Sequence, residues 1–428
     1  MLNTTSRRSQ LLQRLHDARA ETDALFGIVK PEFLFERPIS ERHRLAFYIG
    51  HLESFDWNLL SAPLGLSSDR EILDKLFAFG IDPVDGALPH DQPSDWPPLE
   101  TFYQYRDQVR TELDATLDRG DQHGDGVRID QFLNVAIEHR QMHAETLSYL
   151  LHQLPFHAKH APTTCAYSAP LPRPLATRET MRVPAGSANL GLSASSGEFG
   201  WDNEFEAHTL DVPSFVIDKY KVTNEQYLAF LNDGGYSRRD LWNDEDWVWR
   251  TAHAIERPAF WLRKNGAWFW RSMFNEIPLP QDGPVYVSHA EASAYAHWAG
   301  RALPTEAQWQ RAAFGVDDVA VIDDFAENEP RFDPIAVDAP ELIASGPFPV
   351  VGMRGNGWEW TSTVFAPFAG FRRLDFYPSY SEPFFDGKHF VLKGGSMRTA
   401  TSMLRPSFRN WFQPHYPYIY AGFRCVDR

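Results

Sequence analysis

Asp130–Leu154 reads DQFLNVAIEHRQMHAETLSYLLHQL, and its apolar residues return every three or four positions, the period of an amphipathic helix. His139 and His143 stand four apart inside that stripe, so both imidazoles share one helix face and can converge on a single ion. The neighbours are apolar on both sides, FLNVAI before and TLSYLL after. An imidazole set into such a stripe needs a partner for its ring nitrogens. Taken alone, the pair is also what a solvated or satisfied helical face would show.

Working outward, the same period appears in Gln10–Phe26 (QLLQRLHDARAETDALF), Arg44–Leu60 (RLAFYIGHLESFDWNLL) and Leu99–Leu117 (LETFYQYRDQVRTELDATL). Four long helical stretches predict an antiparallel four-helix bundle over residues 1–155, a fold that builds metal sites in its core from facing helices. The proline-containing stretch from Ser61 to Pro98 is assigned to connections. His51, mid-helix on an apolar background, is the candidate third ligand. Its alternative is a core histidine bonded to Glu53 or Asp56. Three neutral imidazoles on one side of an ion leave positions open opposite, and they suit zinc as well as iron.

A proline-rich stretch over 156–180 reads as a linker. From 181 to 428, short apolar and aromatic runs alternate with Gly, Pro, Asn and Asp clusters, which predicts an irregular, loop-rich α+β domain. Only Thr223–Asp233, His289–Gly300 and Thr305–Phe314 look helical there.

The bulk properties narrow the function. At 428 residues, two domains are the natural division. A formal charge of −16 repels nucleic acid and anionic membranes, so neither is an expected partner. No apolar run approaches the roughly 20 residues that span a bilayer, and Met1–Leu15 lacks a signal-peptide pattern, so a cytoplasmic location is expected. The two cysteines, Cys165 and Cys425, form no CxxC pair and give no disulfide framework or thiolate zinc site.

The glycine–histidine at His51, the HxxxHxE at His139, and then FGWDNE (Phe199–Glu204), KVTNEQYLAFLNDGGY, LPTEAQWQRAA, GNGWEWTSTVFAPFAGF, GGSMRT, RPSFRNWFQP and AGFRC together resemble the ergothioneine-pathway sulfoxide synthases, the EgtB family. The resemblance covers nearly the whole chain. It implies a DinB-like four-helix bundle followed by a C-type-lectin-like domain of the formylglycine-generating-enzyme type. It further implies an iron(II), Fe(2+), cofactor on His51, His139 and His143, and the dioxygen-dependent joining of sulfur to the imidazole C2 of hercynine. By the same resemblance Asn410 and Trp411 hold hercynine, whose trimethylammonium suits an aromatic face, and Arg106 grips the carboxylate of the thiol donor. Tyr103 and Tyr105, beside Arg106, are candidate proton donors.

The chain also departs from that family's pattern. FYIGH stands where WHLGH or WHLAH is usual, Met142 replaces a glutamine, Phe412 stands where an acidic residue can follow RNW, and no tyrosine accompanies the WEWT segment, the nearby positions being Val364, Phe365 and Phe368. These departures leave the proton source and the donor open, the donor between a cysteine or γ-glutamylcysteine thiol and the selenosugar used by the related selenoneine synthases (SenA). A zinc-dependent DinB-type thiol transferase and a non-catalytic ligand-binding protein are the alternatives from other classes. A formylglycine-generating activity would need poised cysteines, which Cys165 and Cys425 do not supply.

Overall fold

The computed structural model describes residues 4–78, 90–119, 126–161, 178–315, 331–344 and 346–428. The chain divides into two compact units, Met1–Ala166 and Tyr167–Arg428. Most of the proline-rich stretch, with Cys165, lies outside the described residues. Its first part does not behave as a linker: Phe156–Ala158 form a short 3-10 turn, and Lys159 bridges to Val29.

The first unit contains α1 (Thr4–Ile28), α2 (Leu45–Leu60), α3 (Glu71–Phe77), α4 (Leu99–Asp118) and α5 (Gly126–Gln153). α1 packs on α5, and α2 packs on α3, α4 and α5. α2 is therefore the inner helix, and all of its residues except Phe55 and Asn58 are buried. A helix closed on every side must find partners for its polar residues inside the protein. Glu53 and Asp56 find theirs in Arg140 of α5, whose guanidinium donates to Glu53 at 3.0 and 3.1 Å and to Asp56 at 2.7 Å. Arg110 of α4 joins Glu53 at 2.8 Å and Asp23 of α1 at 2.6 Å. Against the cost of burial, Arg140 and Arg110 hold the Glu53 carboxyl down to about 2. This network ties all four long helices across the bundle core.

α3 lies in the stretch that the sequence assigns to connections. It is seven residues long, too short to show a sustained period or to be stable alone.

The second unit contains β1 (Thr180–Val183), β2 (Gly186–Leu190), β3 (His208–Val212), β4 (Phe215–Asp218), α6 (Asn224–Asn232), α7 (Asp244–Ala252), β5 (Trp261–Lys264), β6 (Ala267–Arg271), β7 (Glu276–Pro278), α8 (His289–Trp298), α9 (Glu306–Phe314), β8 (Trp358–Val364), β9 (Phe390–Lys393), β10 (Asn410–Phe412) and β11 (Ala421–Gly422). Its main sheet runs β10-β9-β8-β11, antiparallel except for the parallel β11–β8 pair. Three smaller sheets, β1-β4, β2-β3 and β5-β6-β7, complete it. A core of Val183, Leu190, Ile217, Trp309, Phe314 and Met353 packs α9 against these strands.

α6, α8 and α9 begin with reciprocal capping boxes, Thr223/Gln226, Ser288/Glu291 and Thr305/Gln308, which is why their starts are readable as T-x-x-Q or S-x-x-E. α7 was not expected. It buries only Asp246 and stands on its Asn243 cap and three acids in its first turn, so it has no apolar stripe to reveal it. Among the described residues no helix is long and apolar enough to cross a membrane.

Candidate metal centre

α2 brings His51, and one turn of α5 brings His139 and His143, to a common point. One ring nitrogen from each lies within 4.8 Å of the others, and all three residues are buried. The Nε2 atoms of His139 and His143 are 3.2 Å apart. Two nitrogens bound about 2.0–2.1 Å from one ion, at right-angled to tetrahedral spacing, stand about 2.8–3.4 Å from each other. The donor set therefore fits a metal without moving these two rings.

The protonation state fits as well. Burial lowers the pKa of His51 to about 4, with the nearby His43 and Arg140 adding to the shift. Burial, then the neighbouring imidazoles and Arg140, hold His139 and His143 well below the ordinary range. All three are neutral near pH 7, the form that binds a metal. His51 Nδ1 meets the carbonyl oxygen of Phe77 at 2.8 Å. With the proton on Nδ1 donated to that carbonyl, Nε2 is left with its lone pair for an ion. The alternative partners, Glu53 and Asp56, are taken by Arg140 instead.

Aromatic rings of α2 line the imidazoles. Phe47 stacks on His51 at 4.9 Å, Phe55 stacks on His139 at 3.5 Å, and Tyr48 lies 5.7 Å from His143. Sequence reasoning passed over these rings. The signal was present in their spacing of three or four from His51, which puts them on its face of the helix.

The other predicted residues fall elsewhere in the two units. Tyr105 is buried, and its hydroxyl donates to Asp74 at 2.8 Å. Burial and that carboxylate push its pKa well above the usual tyrosine range. Tyr103 is half-buried, with the Arg106 guanidinium 5.0 Å over its ring. Arg106 itself donates to Asp107 at 2.8 Å. In the second unit Asn410 and Trp411 begin β10. Asn410 Oδ1 accepts from the Trp411 backbone N–H at 2.9 Å. The half-buried Trp411 ring stacks on Phe365 at 4.3 Å, with Tyr380 at 5.4 Å and Phe384 at 5.6 Å.

Comparison with known proteins matches residues 14–147 to the DinB superfamily and residues 167–428 to the sulfatase-modifying factor enzyme 1-like domain. A hercynine oxygenase of Mycolicibacterium smegmatis is 34% identical over 311 residues, covering 68% of this chain and 70% of that protein. A hercynine oxygenase of Mycolicibacterium thermoresistibile is 37% identical over 262 residues, covering 56% of this chain and 57% of that protein. Ergothioneine biosynthesis protein 1 of Neurospora crassa is 26% identical across 92% of this chain and 55% of its own length. The chain thus spans a little over half the length of the latter two. With a DinB half, a sulfatase-modifying-factor half and a hercynine oxygenase relative aligned across most of both chains, this protein belongs to the EgtB-like family.

Proposed function

We propose that this chain is a hercynine-directed, dioxygen-dependent iron(II) enzyme that forms a carbon–chalcogen bond at the imidazole C2 of hercynine. The observation that carries the reading is the convergence of three buried, neutral imidazoles, His51, His139 and His143, in a chain whose relatives are named hercynine oxygenases. Iron(II) at these nitrogens supplies the activation of dioxygen. The protein's own residues do the rest. Phe47, Phe55 and Tyr48 wall the imidazoles with apolar surface, which excludes water from that side. Trp411 offers its indole face to the trimethylammonium of hercynine, and Phe365, Tyr380 and Phe384 hold the indole in place. Asn410 offers an amide to the carboxylate. Tyr103 Oη is the proton donor in this reading, because the hydroxyl of Tyr105 is committed to Asp74.

Two donors are retained, each on its own observation. The names of the relatives support a thiol, the ergothioneine route. The pairing of Arg106 with Asp107, which competes with the expected carboxylate grip, supports a neutral sugar-borne selenium. The test is anaerobic reconstitution with iron(II) and hercynine, followed by oxygen, in parallel with cysteine, γ-glutamylcysteine and a selenosugar, with products read by mass. Hercynine consumed with one donor names the branch. Hercynine left untouched in every arm overturns the proposal, and a protein purified without oxygen that carries zinc alone points to the thiol transferase class.

A further inference from the structure

α3 is held at several points along its length by side chains of α2 and α4. Ahead of it, Arg70 forks onto Glu112 of α4 at 2.5 and 3.2 Å and lies over the Trp57 ring. In its middle, the Asp74 backbone carbonyl accepts from Ser54 of α2 at 3.0 Å, and its carboxylate accepts from Tyr105 of α4 at 2.8 Å. At its end, the Phe77 ring packs 5.1 Å from the rings of both Phe102 and Tyr105. The same ring presses on Gly50, where a Cβ would fall inside its van der Waals envelope. α2 and Phe77 thus meet at a distance that only glycine permits. That contact fixes the Phe77 carbonyl, which receives the His51 Nδ1 proton. The carbonyl belongs to the last turn of α3, where helix carbonyls lack intrahelical partners and carry partial negative charge.

We propose that α3 is a positioning arm of the metal centre, and that Tyr105 and Asp74 act through it to set the tautomer and direction of the His51 ring. Tyr105 is then a positioning residue and not a proton donor. The inference rests on the metal reading of the three histidines and deepens it. A ligand imidazole whose far nitrogen is held by a carbonyl is a better-directed and more basic donor, and loss of such a partner typically weakens metal binding about 10–100-fold.

The test measures metal affinity rather than turnover. Full-length Tyr105→Phe, Asp74→Ala and Asp74→Asn are compared with wild type and with Gln104→Ala, an exposed control on α4, by anaerobic iron(II) competition against a chelator. The absorption spectrum of the cobalt(II)-loaded protein and the melting temperature with and without metal are recorded for each. Tyr105→Phe and Asp74→Ala are expected to bind metal about 10–100-fold more weakly and to alter the cobalt spectrum. Asp74→Asn, which keeps an oxygen for Tyr105, is expected to recover most of the affinity, and Gln104→Ala to match wild type. Gly50→Ala, if folded, should behave as Tyr105→Phe. A merely structural role would lower the melting temperature of the metal-free protein while leaving affinity and spectrum intact, and that result overturns the proposal. Wild-type affinity with lost turnover in Tyr105→Phe overturns it too and returns the residue to proton transfer. Failure of wild type itself to bind metal would defeat the metal reading, and the positioning role with it, and is told apart because no variant is needed to see it.

Discussion

At the scale of single residues, Arg140 and the histidines make opposite demands on the same core. Arg140 is a charge kept buried by Glu53 and Asp56, so Arg140→Ala strips Asp56 of its 2.7 Å donor and leaves Glu53 to Arg110 alone, and is expected to cost about 3–5 kcal/mol. Urea unfolding followed in α2 or α5 measures it. The histidines are buried neutral. Their folded pKa values lie below the unfolded value near 6.5, so the unfolded chain binds more protons as pH falls from about 6.5 towards 4. The metal-free protein should therefore lose stability across that window, and His139→Asn should lose less; melting curves at pH 7 and pH 5 check both. In the second unit, Trp411→Ala removes an aromatic face worth about 1–2 kcal/mol to a desolvated cation. The expected result is a KM for hercynine raised roughly tenfold, with a smaller change in kcat. An unchanged KM would remove Trp411 from substrate binding.

Elements were legible where burial leaves a period. α2 and α5 bury long apolar stripes, so the sequence shows both helices and places His139 and His143 on one face. α6, α8 and α9 announce themselves by capping boxes. α3 and α7 do neither. α3 is defined by what holds it, namely Ser54, Tyr105 and Gly50, all distant in sequence, and such contacts leave no local pattern. α7 stands on its cap, and Asn243→Ala is expected to destabilise it by about 1 kcal/mol. Hydrogen exchange of the amides in its first turns is the measurement. The candidate site follows the same logic. The histidine spacing could be read, but the Phe77 carbonyl and the commitment of Tyr105 to Asp74 could not, because both depend on a helix the sequence hides.

Across the whole molecule, the first unit carries the three imidazoles, and the second carries Asn410 and Trp411 on an edge strand of its main sheet. Metal added to the metal-free protein should raise hydrogen-exchange protection in α2 and α5, where the three histidines sit, and leave β8 and β9 nearly unchanged. An equal rise in both would place the ion elsewhere. The closed surroundings of α2 also set how freely this segment can change. Of residues 45–60 only Phe55 and Asn58 are not buried, and Phe55 lies flat on His139. In a saturation library through this stretch, selection for function should leave a nearly frozen sequence with a single permissive position, Asn58, so the helix that carries His51 has little freedom to drift.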